Sequence, residues 1–211
     1  MIVNIENFKE PPFCEKEILR YSGCKKENDE VLSLMHSAIS EVRSLLCYRV
    51  CWCESSAKIQ DNTCDFDFFS TKSSSLAKSI KGADRVILFG ATIGVELDRL
   101  IAKYSSISPA RALMMQAIGT ERIEALCDAF CQKHGCNRRF SPGYGDLPLD
   151  LQKDLFKILS CEKHIGLYLT ESLMMSPSKS VTAFAVPDKT PALKNKCSQC
   201  TKNDCQYRGV I

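Results

Sequence analysis

No stretch of the sequence is apolar for long enough to cross a bilayer. The longest such run, around 86–95, falls short of the roughly 20 residues that a spanning helix needs. The N-terminus, Met1-Ile2-Val3-Asn4-Ile5-Glu6, has no basic region leading into an apolar segment, so no signal peptide is expected and cytoplasm is the default. An excess of one charge is missing too. The 28 Lys and Arg stand against 25 Asp and Glu, a net charge of +3. That is too weak to argue for nucleic acid or a membrane surface as partner, and no dense basic helix concentrates it. Histidine is scarce: His36, His134 and His164 are scattered, and no Cys–His–Asn or Ser–His–Asp set suggests nucleophilic catalysis. Gly90-Ala91-Thr92-Ile93-Gly94 follows a strand-like run but matches neither the dinucleotide nor the P-loop pattern. A close-packed strand–helix turn is its plainer reading.

Cysteine is plentiful, 13 in 211 residues. In a secreted chain this would read as a disulfide framework, but the odd count and the missing signal argue for reduced thiols and a metal site. The hydrophobic content of 45% and charged content of 25% are those of an ordinary globular protein with length enough for a real core.

Periodicity organises the chain. Residues 14–22 read as a short helix stopped by Gly23, and Asn28 or Asp29 caps a longer one reaching about Leu46. At 47–54 the period becomes two, as in a half-buried strand, with Cys47, Arg49, Cys51 and Cys53 on one face and Tyr48, Val50 and Trp52 on the other. Further strands are expected at 66–69, 85–90, 166–169 and 179–186, and helices at 73–81, 95–104, 109–133 and 150–160. On the helix opened by Pro109, one stripe carries Leu113, Ala117, Thr120, Glu124, Cys127 and Cys131. Glu124 thus lies among small residues. It needs a cation there, either a ligand ammonium or a neighbour such as Arg122 or Arg139.

Arg138-Arg139-Phe140-Ser141-Pro142-Gly143-Tyr144-Gly145-Asp146-Leu147-Pro148 is the densest concentration of unusual residues. Pro142-Gly143 forces a turn, and Gly145 lets backbone pass close to something else. Arg139 and Tyr144 are expected to project from a stiffened loop. A guanidinium on a rigid mount suits two-point gripping of a carboxylate, or a plain salt bridge.

Arg139-x-x-Pro142-Gly143-Tyr144 resembles the R-x-x-x-G-Y element of the activation domain of cobalamin-dependent methionine synthase, and the wider stretches 139–152 and 169–182 resemble stand-alone versions of that domain. The similarity is placed at about residues 10 to 187. It implies an α+β fold, a twisted antiparallel sheet with flanking helices. It also implies S-adenosylmethionine as ligand, with Arg139 on its carboxylate, Glu124 on its ammonium, Phe140 offering backbone groups beside the adenine, and Tyr144, after Gly143 in the loop, ordering that loop or packing on the ligand. No side chain is expected to act as a covalent or acid–base catalyst. The task implied is reductive reactivation, in which the domain positions S-adenosylmethionine to methylate a reduced cobalamin. The chain has no room for a cobalamin domain, so a partner must supply it: a methionine synthase lacking its own activation domain, or another corrinoid methyltransferase, served by a low-potential electron donor. The sequence departs from the family where two adjacent tyrosines would stand. Val181-Thr182 occupies that place.

Residues 1–187 are read as one domain and 188–211 as a linker and tail beyond the resemblance. In the tail, Cys197, Cys200 and Cys205 have C-x2-C-x4-C spacing, which lets three thiolates converge on an iron–sulfur cluster or a zinc ion. An iron–sulfur electron carrier, or a non-catalytic adaptor docking on a corrinoid protein, is therefore the rival reading.

Overall fold

The computed structural model describes residues 2–24 and 28–187. Seven strands form one antiparallel sheet. β2 (Arg49–Gln60) and β5 (Arg85–Thr92) lie at its centre and β9 (Ser180–Pro187) beside them. β6 (Cys136–Phe140) pairs with β9, and β3 (Thr63–Phe66) and β4 (Ser70–Lys72) extend the other side. β1 (Asn4–Asn7) pairs with the first residues of β2. A separate small hairpin joins β7 (Tyr168–Leu169) to β8 (Met175–Ser176).

Local chemistry accounts for several boundaries. Asn28 caps the helix Asp29–Val42 (α2), its side chain accepting from the Val31 N–H at 2.8 Å. The preceding helix Glu15–Ser22 (α1) ends on Gly23 at φ 74°. Asp61 and Asn62 both take positive φ in the two-residue turn between β2 and β3, the conformation that Asn and Asp tolerate best after glycine.

The sheet is covered on both faces. Against one lie α1, α2, α4 (Glu96–Ile107) and the long α5 (Pro109–Lys133), packed on Val50, Ile87, Phe89, Ala91, Ala183 and Ala185. Against the other lie α3 (Ser74–Ser79), α6 (Gln152–Leu159) and α7 (Cys161–Ile165), packed on Cys51, Cys53, Val86, Leu88, Phe184 and Val186. The alternation expected at 47–54 holds, but the cysteine side is not left to solvent: Cys51 and Cys53 are buried under the second layer of helices as Tyr48 and Val50 are under the first, while Arg49 stays exposed. The expected strand at 66–69 is instead a tight turn between β3 and β4, with Phe66 N–H bonded to Phe69 O at 2.9 Å. Of the strands expected at 166–169 and 179–186, the first is β7, paired with β8, and the second is β9, inserted between β5 and β6.

Gly90 and Gly94 serve packing. A Cβ on Gly90 would stand 2.9 Å from Cys161 Sγ, and one on Gly94 2.6 Å from Cys47 Sγ. Glu96 and Asp98 fill the first turn of α4, so the helix start after this turn is acidic and repels phosphate.

Candidate functional site

The register of the sheet sets the site. Arg139 lies opposite Ala185 and Phe140 opposite Phe184, so consecutive residues of β6 project to opposite faces. Phe140 packs into the core formed with α6 and α7. Arg139 turns to the other face and meets α5, where its guanidinium bonds to the Glu124 and Asp128 carboxylates, the latter at 2.6 Å. Glu124 and Asp128 are one helical turn apart and present both acids to one side of α5. Arg139 therefore projects from a strand, not from a loop. The turn signal at Pro142-Gly143 marks only the strand's end.

Arg139 is 14% exposed at its side chain, against 37% for Glu124 and 58% for Asp128. Burial works against the Arg139 charge; the surrounding negative groups, the Glu124 and Asp128 carboxylates among them, outweigh it and raise its pKa above the ordinary arginine range. The Cys127 thiol beneath is fully buried and pushed up to about 12 by that burial, so it is a neutral, apolar floor to the site. Tyr21 of α1 borders the same acids: burial and then the Glu124 charge raise its pKa.

The loop after β6 is held by its own backbone and by one carboxylate. Gly143, at φ 87°, gives its N–H to Leu147 O at 3.0 Å, and Leu147 returns one to Tyr144 O at 3.1 Å. Asp146 accepts from Ser73 Oγ (2.6 Å), Ser74 N (2.7 Å), Ser74 Oγ (2.8 Å) and Ser75 N (3.0 Å). These bonds, Ser73 foremost, hold its pKa well below the usual carboxylate value. Gly145 passes so close to α3 that a Cβ would fall 2.5 Å from Ser75 Oγ. Tyr144 is 69% exposed and stands available at the surface.

One buried pair escaped the sequence reading. Glu121 and Arg122, 4% and 0% exposed at their side chains, bond to each other at 2.5 Å inside the core. Arg122 also donates to Pro11 O (2.6 Å) and Pro12 O (2.7 Å) and covers the Phe13 ring, while Glu121 accepts from the Cys14 N–H at 3.2 Å. Together they bind the N-terminal segment to α5, whose next turn carries Glu124. The Pro11-Pro12 run beside an aromatic was the available signal.

Among the described residues no group of three or more His, Cys, Asp or Glu side chains is arranged to hold a metal. Cys197, Cys200 and Cys205 lie outside the described residues. The ten described cysteines are free thiols, and no helix among the described residues is long and apolar enough to cross a membrane. Two surface hollows, one beside Phe13, His36 and Arg43 and one beside Ile2, Trp52 and Phe68, include none of the expected ligand residues.

Residues 129–207 match the family model described as vitamin B12 dependent methionine synthase, activation domain. The match includes Arg139 through Tyr144. A solved structure, the MetH reactivation domain bound to AdoHcy, superposes with a TM-score of 0.64 at 16% identity, over 92% of this chain and 82% of that one. The chain resembles a methionine synthase activation domain. Its fold is the expected α+β architecture, a curled antiparallel sheet between helices. The matched stretch continues past residue 187 and includes Cys197, Cys200 and Cys205, and Glu124 and Asp128 fall just before it. No curated protein matches the chain.

Proposed function

We propose that this protein reactivates a cobalamin-dependent methionine synthase, or a related corrinoid methyltransferase, by holding S-adenosylmethionine against the partner's corrinoid. The observation that carries the reading is the half-buried Arg139–Glu124 pair between β6 and α5. A cation and an anion fixed side by side are the donor set that an α-amino acid zwitterion requires, carboxylate to guanidinium and ammonium to carboxylate. Arg139 already carries two carboxylates, so ligand entry is an exchange in which the ligand's carboxylate displaces one of them from the guanidinium fork. The exchange conserves charge pairing and so limits the desolvation cost of binding.

When bound, the sulfonium supplies an activated methyl group for the partner's reduced corrinoid, leaving S-adenosylhomocysteine. This chain's residues need only position it. Arg139 and Glu124 fix the amino-acid end. The loop of Gly143 and Tyr144, held on α3 through Asp146, forms the adjoining wall, with exposed Tyr144 able to lie over the ligand. Phe140 offers its backbone while its ring stays in the core. Of the pair that stands where the family has tyrosines, Thr182 is buried on the far face with Phe184, whereas Val181 lies on the Arg139 face, partly buried against the α5 side of the core.

The test mixes the protein with an oxidised corrinoid methyltransferase, S-adenosylmethionine and a strong reductant. Restored turnover that depends on this protein is expected. Equal rates with and without it would remove the proposal.

The spacing of Cys197, Cys200 and Cys205 supports a second, finer element, a metal-bound tail. Cobalt reduction needs an electron at low potential, which thiolate-held iron–sulfur clusters provide down to about −700 mV and zinc does not. Anaerobic purification of the full chain and of a chain ending at Pro191, with metal analysis of both, decides the matter. Iron and sulfide in the first alone would support electron delivery. Stoichiometric zinc would mean a structural clip, and no metal in either would leave a thiol tail.

A further inference from the structure

Lys179 is a half-buried cation without an ion-pair partner among the described residues. Its backbone is fixed on both sides. Its carbonyl accepts from the Ile93 N–H at 3.3 Å, and its neighbour Ser178 bonds through N–H and Oγ to the Asp98 carboxylate at 2.7 and 2.6 Å. The side chain then runs along α5 over Gly119. A Cβ on that glycine would come within 2.9 Å of Lys179 Cγ and 2.4 Å of Leu97 Cδ2, so only glycine lets the stem lie so close. The Nζ ends at Thr120, donating to Oγ1 at 3.1 Å. Burial lowers the Lys179 pKa, opposed by the charge of Asp98, whose oxygens are already engaged by Ser178.

An ammonium carries three donors, and desolvating it against a single hydroxyl is unfavourable unless something else compensates. Thr120 precedes Glu124 by four residues on α5, so their Cβ atoms are about 5–6 Å apart on one face. Along that face the groups run Lys179 at Thr120, then Glu124 with Arg139, then Asp128. Glu124 thus stands between two cations. Arg139 has its fork occupied by two carboxylates, whereas Lys179 has only Thr120.

We propose that Lys179 is a ligand-contacting residue: it donates to the α-carboxylate of the zwitterionic ligand whose ammonium Glu124 receives, completing from the Thr120 side the contact that Arg139 makes from β6. This rests on the reading that the site binds S-adenosylmethionine. A carboxylate has about four acceptor positions, more than a partly occupied guanidinium fills.

The test is calorimetric titration of the wild type, Lys179→Met and Lys179→Arg with S-adenosylmethionine and with its decarboxylated analogue, which keeps the ammonium but has no carboxylate. Thermal melts establish that each variant is folded. Lys179→Met is expected to bind S-adenosylmethionine about tenfold more weakly, the scale of one charge-assisted hydrogen bond. It should bind the decarboxylated analogue as the wild type does, and Lys179→Arg should recover part of the loss. Unchanged affinity for S-adenosylmethionine in Lys179→Met, or an equal loss for both ligands, overturns the assignment and leaves Lys179 a packing residue. A wild type that binds neither ligand overturns the functional reading itself, and this proposal with it.

Discussion

Arg139 of β6 and Glu124 of α5 form an ion pair across the helix–sheet interface, and Asp128, one turn further along α5, bonds to the same guanidinium. Fifteen residues separate the pair in sequence. The strand register and the helix phase bring them together: Arg139 opposite Ala185 faces α5, and Glu124 lies on the α5 side that faces back.

If this pair receives an amino-acid zwitterion, Arg139→Ala should weaken S-adenosylmethionine binding by about 1.5–3 kcal/mol, the range for hydrogen bonds to charged groups. Arg139→Lys keeps the charge but loses the planar fork, and should recover only part. Glu124→Gln should cost less, because an amide oxygen still accepts from the ammonium. Calorimetry reads all three, and unchanged affinity in both Arg139 variants would withdraw the assignment.

The buried Glu121–Arg122 pair makes a separate prediction about stability. Glu121→Ala leaves a fully buried guanidinium without its carboxylate, and breaking such a pair costs about 3–5 kcal/mol. Replacing both partners by apolar residues of similar size, Glu121→Leu with Arg122→Met, should cost less than Glu121→Ala alone. It leaves no buried charge, though Pro11 O, Pro12 O and the Cys14 N–H lose their partners. Urea unfolding would measure both. A double variant less stable than the single one would show that the contacts to residues 11–14, rather than the pairing of charges, dominate.

The sequence made α5 legible to the residue, because Pro109 marks its start and a regular apolar period carries it to Lys133. The Glu124 stripe followed from the same period, and so did the need for a cation beside it. Arg139 is expected on a loop, whereas the fold mounts it on β6. Among the described residues β6 is a short strand paired only with β9, with Arg138, Arg139 and Phe140 where a buried strand would carry β-branched residues. α7 has five residues, too few for a helical period to show. In sequence Arg122 is a candidate partner for Glu124, but it pairs with Glu121 inside the core. What buries it is residues 11–14 folding over α5, a contact more than a hundred positions away that no local pattern encodes.

Asp146 links the candidate ligand loop to folding through pH. It is the only carboxylate bonded to Ser73, Ser74 and Ser75 among the described residues, and those bonds hold its folded-state pKa below its unfolded value of about 3.9. A carboxyl with a depressed folded pKa contributes stability above its unfolded pKa, and that contribution is lost as pH falls through the folded pKa. Asp146→Asn removes the charge and turns one acceptor into a donor facing N–H and O–H groups. The variant should therefore be less stable than the wild type near pH 7, and the difference should shrink as the pH is taken below about 4. Urea unfolding at pH 7 and pH 3 gives the comparison. A stability gap of the same size at both values would mean that Asp146 acts through shape alone. Ligand binding gives a second readout. Since Asp146 fixes residues 141–148 on α3, Asp146→Asn should also weaken S-adenosylmethionine binding at neutral pH, by less than Arg139→Ala does, because it disturbs the wall of the site and leaves the Arg139–Glu124 pair in place.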